Sequence, residues 1–281
     1  MHTLDDYIGS AHHLVPAPQV LPQILPLLNQ PDVDAKKVVD LISYNQSLTG
    51  NVLRVCNSAF FSGGANIDNL QHAVTRLGFR QIYEIVVTVL SSVTLSQPQT
   101  GYGVEANELW EHSVTTAVAA ELVAADAQAD QQVVFTAAIL HDIGKIILSL
   151  ALEDVRDKVA VETEKNGLSP IEIEMKLLGV NHAEIGGRLL ERWKLPENLV
   201  AAVRHHHHPS AAESSQRLAA CVYLGDFVAY FLGHGYGRHS LDLKARDEAL
   251  KILNLSTECL PQYMSAAVEK LKQVKSMYNL S

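Results

Sequence analysis

Apolar residues recur at three-and-four spacing along nearly the whole chain, and the period-two alternation of strands is almost absent. The pattern predicts an all-α fold, a multi-helix bundle. Near the N-terminus Val38, Leu41, Ile42, Leu48, Val52, Leu53 and Val55 outline two short helices leading into Asn57-Ser58-Ala59-Phe60-Phe61. The stripe Ile67, Leu70, Ala73, Val74 and Leu77 ends at Gly78, and another helix runs from Ile82 to Leu95. Pro16, Pro18, Pro22 and Pro26 frame the first helices, and Gly63-Gly64 reads as a turn. Proline, glycine and polar residues gather from Pro98 to Gly103, which places a boundary between a smaller helical part, residues 1–100, and a larger helical domain, residues 101–281. After Thr257 the stripe Leu260, Met264, Val268, Leu271 and Val274 predicts a long helix, packed within the chain or on a second copy.

Composition narrows the function classes. With 281 residues, 47% of them hydrophobic and 19% charged, the chain can bury a self-sufficient core and is expected to be ordered nearly throughout. A net charge of −9 argues against a general grip on nucleic acid, which relies on clustered Lys and Arg. The helix, glycine, helix spacing around Gly78 is also that of a DNA-binding helix-turn-helix, but without a basic cluster bundle packing is the better reading. The acidic start, Met1 to Asp6, lacks the basic and apolar regions of a secretory signal. The apolar runs Ile85 to Leu90 and Val222 to Leu232 are too short to span a bilayer, and Gly225-Asp226 interrupts the second. No membrane contact and a cytoplasmic location are therefore expected. Cys56, Cys221 and Cys259 are odd in number with no CxxC pair, so they read as small core residues.

The candidate chemistry lies in the second half, at His112, His141, Asp142, His182, His206, His207 and Asp226. His112 lies off the stripe Trp110, Val114, Ala117, Val118 and Leu122, on a helix apolar on more than one face; alone it reads as a core histidine with a hydrogen-bond partner. His141 and Asp142 follow the apolar run Phe135 to Leu140 and point about 100° apart, at the edge of a helix that Gly144 should end. Asn181 and Glu184 have the spacing of a cap, so His182 starts a helix on the same face as Ile185, Leu189 and Trp193. In the run His205 to His208, the stripe Leu199 and Val203 selects the middle pair, His206 and His207. Asp226 continues the stripe Leu218, Val222 and Gly225, placing a carboxylate on a buried face. Taken singly, each has a packing or capping explanation. Taken jointly, these imidazoles and carboxylates on inward faces of successive helices favour one or two divalent metal ions. The mixed N and O donors suit Fe, Mn or Zn.

The run His141-Asp142-Ile143-Gly144-Lys145 resembles the motif for which HD-type metal phosphohydrolases are named. The order His112, His141-Asp142, His182, His206-His207, Asp226 resembles the ligand set of the binuclear HD-GYP branch, but His208-Pro209-Ser210 stands where the GYP signature belongs, and Gly235-Tyr236-Gly237 comes too late. The chain as a whole is more similar to the HDOD family. The matching elements are Leu14 to Pro18, Asn57-Ser58-Ala59, Ala73 to Gly78, Trp110-Glu111-His112-Ser113, His141 to Lys145, Trp193-Lys194-Leu195-Pro196 and His206-His207-His208-Pro209.

This resemblance implies a bacterial signalling role and an HD-like C-terminal part. Many HDOD members have lost metal ligands, whereas this chain keeps a candidate at every position. It also implies a two-metal hydrolysis of a phosphoester or nucleotide, with Asp142 bridging the ions. His112, His141 and Asp226 would then serve one ion and His182, His206 and His207 the other. Lys145 would offer charge to a phosphate, or else be a solvated helix-end lysine. The competing reading is a non-catalytic output module that binds a signalling protein, any metal serving as an internal staple.

Overall fold

The computed structural model describes residues 4–11, 20–28, 35–62, 67–235 and 245–278. Pro16, Pro18, the Gly63-Gly64 turn and Tyr236-Gly237 lie outside the described residues. The helices of the N-terminal part are α1 (Leu4–Ala11), α2 (Leu21–Leu28), α3 (Ala35–Ser43), α4 (Gln46–Cys56), α5 (Ala59–Ser62) and α6 (Leu70–Leu95). Then come α7 (Glu108–Asp126), α8 (Gln131–Leu140), α9 (Gly144–Glu153), α10 (Arg156–Asn166) and α11 (Pro170–Leu178). The last are α12 (His182–Arg192), α13 (Glu197–Arg204), α14 (Gln216–Ala229), α15 (Ala245–Leu253) and α16 (Leu260–Tyr278). Among the described residues the sole β pairing is an isolated bridge between Gln99 and Val104.

Five of the helices start where the sequence supplies a side-chain acceptor for their free N–H groups. Asn45 caps α4, Asn69 caps α6, Asp130 caps α8 and Asn181 caps α12, while Ser169 and Glu172 form a reciprocal box at α11. Such a cap stabilises a helix by about 1 kcal/mol. At Gly78 the backbone leaves helical geometry (φ 79°, ψ 163°), so α6 is two helical stretches meeting at the glycine, as the stripe predicts. The Asn57-Ser58-Ala59 segment has a structural reason: the Asn57 amide donates to the Ile67 carbonyl at 2.7 Å and accepts from its N–H at 2.8 Å, holding the start of the α6 stripe against α4.

α7 occupies the centre. It packs chiefly on α14 and α8, and α16 lies across it while also touching α4 and α5. Its Ala117, Ala119, Ala120, Val123 and Ala124 are fully buried, which explains why the helix is apolar on more than one face. Buried apolar side chains form one connected cluster from Ile8 to Met277. The apolar stretch Gln131–Glu153 has the length and hydropathy (1.8) of a membrane span but is 94% buried, and His141 to Ile143 break it into α8 and α9. It is the middle of the bundle. α16 packs within the chain, with Leu260, Ala267 and Leu271 turned inward and Val268 partly exposed.

Candidate metal centre

The ligand candidates arrive from α7, the α8–α9 turn, α12, the turn after α13, and α14. His112 is on the buried body of α7. α8 ends at Leu140, and His141-Asp142-Ile143 form the turn into α9. Gly144 does not end α8, as the sequence reading expects; it opens α9. The physical reason is close approach: a Cβ at Gly144 would lie 2.0 Å from the His182 carbonyl oxygen and 2.8 Å from the Gly186 nitrogen. A side chain there would push α12, and His182 with it, away from Asp142. α13 stops at Arg204, and His205 to His207 form a turn rather than continuing the helix, yet the stripe chose correctly between them. His206 and His207 are buried, His205 is half-buried and His208 is exposed. On α14 a Cβ at Gly225 would meet Ala120 Cβ at 2.6 Å, so this glycine lets α14 bring Asp226 to His112.

All the candidates meet. His112 Nε2 lies 3.2 Å from His141 Nε2, 3.2 Å from Asp226 Oδ1 and 3.6 Å from Asp142 Oδ2. His182 Nε2 lies 3.0 Å from His207 Nε2 and 3.2 Å from Asp142 Oδ1. Asp142 thus turns one oxygen toward each group, and Lys145 Nζ donates to its Oδ2 at 2.7 Å. His206 completes the ring, its imidazole 5.0 Å from that of His141 and 4.1 Å from that of His207 between centroids. Three sets of ligand atoms each fall within 4.8 Å of one another: His182, His206 and His207; His112, His141 and Asp226; and His141, Asp142 and His206.

The tautomers show that this donor set fits a cation. His112 Nδ1 is bonded to the His234 carbonyl at 2.9 Å, His141 Nδ1 to that of Ala138 at 2.7 Å and His206 Nδ1 to that of Val203 at 2.7 Å. A carbonyl oxygen only accepts, so each Nδ1 carries the proton, and a neutral ring presents a bare Nε2 to the centre. With both rings neutral, the Nε2 atoms of His112 and His141, 3.2 Å apart, repel each other, and a bound cation or a proton added to one of them relieves this. His206 Nε2 is buried and has no hydrogen-bond partner among the described residues. A metal ion would satisfy all of these nitrogens together.

Comparison with known proteins follows the same line. Residues 14–209 match the HDOD domain. The chain belongs to the HDOD domain family. An uncharacterised protein of Treponema pallidum (strain Nichols) is 29% identical over 220 residues, covering 76% of this HDOD chain but only 42% of that protein. The chain thus spans less than half the length of that relative. Among solved structures, an HDOD domain protein of unknown function from Geobacter sulfurreducens has a TM-score of 0.72 at 22% identity, covering 99% of this chain and 95% of its own. A protein provisionally named a phosphohydrolase, from Shewanella amazonensis SB2B, has a TM-score of 0.71 at 21% identity, covering 98% of each chain. A protein provisionally named for signal transduction, from Marinobacter aquaeolei VT8, reaches 0.77 at 21% identity, covering 97% of this chain and 61% of its own. At such identities the likeness is one of fold.

In this HDOD chain the electrostatics keep the two carboxylates charged. Burial alone would protonate Asp142, but His141 and Lys145 outweigh it and hold its carboxyl well below the usual range. Asp226 is likewise lowered, burial being overcome by the hydrogen bond and charge of His112. Burial pushes His206 and His207 well below the ordinary histidine value, reinforced by neighbouring imidazoles. His141 goes the other way: burial disfavours its charge, and the adjoining Asp142 more than compensates.

Several contributors escape a sequence reading. Glu174 of α11 is fully buried and accepts from His182 Nδ1 at 2.8 Å and from the His182 backbone N–H at 2.7 Å. Tyr102, in the turn before α7, donates to Glu174 at 2.8 Å, and Lys145 sits 5.9 Å above its ring. In the sequence Glu174 is one of several alternating helix carboxylates, and only the packing of α11 against His182 separates it from them. The cavity beside the centre, rimmed by Pro170, Ile171, Gly235 and Lys145, offers 10 Å³, room for about one water.

Proposed function

We propose that the centre takes two divalent ions and hydrolyses a phosphoester or nucleotide. His112, His141 and Asp226 would hold one ion and His182, His206 and His207 the other, with Asp142 facing both. The donors favour Fe, Mn or Zn. Bound ions of this kind lower the pKa of a water and neutralise phosphate oxygens. The chain's own groups prepare the site for this. Asp142 stays ionised between the two sets, His112, His141, His182 and His206 keep a proton on the outer nitrogen, and Lys145 brings a cation to the cavity rim within 2.7 Å of Asp142.

The observation that carries the reading is the inward convergence of bare Nε2 atoms on a carboxylate pair. The test is metal analysis of untagged protein, then hydrolysis assays on generic phosphoesters and nucleotides with and without added Mn. His182→Ala and Asp226→Ala should each lose metal and activity together. Full activity in metal-depleted protein would refute the reading.

One observation favours a second reading. A cavity of 10 Å³ admits water but no phosphate group, which suits a regulatory module whose ions act as an internal staple and whose surface binds a signalling protein. Stoichiometric metal with no turnover of any phosphoester would select that reading over hydrolysis.

A further inference from the structure

Negative charge is divided unequally between the two ligand sets. The His112 side has Asp226 as well as Oδ2 of Asp142, and the outer nitrogens of His112 and His141 donate only to neutral carbonyls. The His182 side offers three imidazoles, and among the described residues the one carboxylate facing their inner nitrogens is Asp142, with Oδ1 3.2 Å from His182 Nε2. Three neutral rings and one shared carboxylate oxygen leave a dication there poorly neutralised in a fully buried site.

The missing charge stands one bond further out. Glu174 spans the outer edge of His182, with Oε1 and Oε2 at 2.9 and 2.8 Å from Nδ1, and Oε2 also accepts the His182 backbone N–H. A carboxylate accepting from the outer nitrogen makes the inner nitrogen a stronger donor to a metal and fixes the plane of the ring. Tyr102 holds Oε1 from the other side at 2.8 Å, and its turn is tied to α9 by the Gly101 N–H donating to Ser149 Oγ at 3.1 Å.

Resting on the two-ion reading, we propose that Glu174 is a positioning residue that supplies the His182–His206–His207 side with the charge its own ligands lack. That side then depends on Glu174 for its ion, and the Asp226 side does not. Tyr102 aims Glu174 and contributes less, because the two His182 donors hold the carboxylate without it.

Calorimetric titration of Mn²⁺ or Co²⁺ into the metal-free full chain tests this. Wild type should take up two ions in separable steps. Glu174→Gln, which keeps shape and loses charge, should weaken one step by about 10–100-fold and leave the other unchanged. The Co²⁺ absorption band of the weakened step should fade while the other persists, and the persisting step shows that the variant is folded. Glu174→Asp should recover part of the lost affinity, and Tyr102→Phe should weaken the same step less than Glu174→Gln does. Asp226→Asn should weaken the opposite step. Equal weakening of both steps in Glu174→Gln, or none, overturns the proposal. Uptake of a single ion by wild type would instead overturn the two-ion reading. In that case, unchanged affinity in Glu174→Gln would overturn the role of Glu174 as well, and a 10–100-fold loss restored in part by Glu174→Asp would support it.

Discussion

Buried imidazoles whose Nε2 atoms face one another at 3.0 and 3.2 Å form a donor set that a cation among them would satisfy. His206 is the residue most exposed to this argument, since it belongs to two of the three ligand sets and its Nε2 has no hydrogen-bond partner among the described residues. His206→Ala should therefore cost at least one ion per chain by elemental analysis; unchanged metal content would remove it from the centre. Gly144→Ala tests the approach of α9 to α12. The added Cβ has backbone rather than a flexible side chain in its way, so the variant should lose about 1–3 kcal/mol in urea unfolding and bind metal more weakly. At this scale the sequence was legible where local geometry decides. The adjacency of His141 and Asp142 and the stripe pointing at His206 and His207 needed no fold. His112 was ambiguous because a core histidine and a ligand look alike on an apolar helix. Glu174 was invisible, because its partners come from residues 102 and 182, brought to it only by folding.

Helix ends and helix contacts place those residues. The Asn181 cap, foreseen from its spacing to Glu184, fixes the first turn of α12 and so the start of the His182 ring. Asn181→Ala should cost about 1 kcal/mol of stability. The kink at Gly78 was legible too, whereas Gly144 was misread as an end because a glycine after an apolar run usually is one, and its close contact with α12 is tertiary. α6, α7 and α16 are joined by a charge quartet that no stripe predicts: Arg80 pairs with Glu84 and Glu121, and Lys270 with Glu121 at 3.1 Å. Burial, and then the charge of Glu121, push the Glu84 carboxyl up from 4.5 to about 7. Because the folded chain holds this proton more tightly than the unfolded one, the contribution of Glu84 favours folding below 4.5 and is lost as pH rises through about 7. Unfolding midpoints should therefore fall between about pH 5 and pH 8 more in wild type than in Glu84→Gln. Equal slopes would contradict the shift.

For the molecule as a whole, one connected core surrounds a polar centre that the fold must neutralise. An all-helical bundle was legible throughout, because the three-and-four spacing survives in almost every element. The small cavity was not, since Pro170, Ile171 and Gly235 line it from elements distant in sequence. If ions fill the centre, chelation should lower the unfolding midpoint, and free metal at 100 times its Kd should restore about 2.7 kcal/mol for each ion bound. The most direct test of the central claim is an anomalous diffraction measurement on crystals of untagged protein. The account predicts anomalous peaks within bonding distance of the Nε2 atoms of His112, His141, His182, His206 and His207 and of the Asp142 carboxylate. Well-ordered density at that point with no anomalous signal, in crystals grown with added Mn, would contradict it.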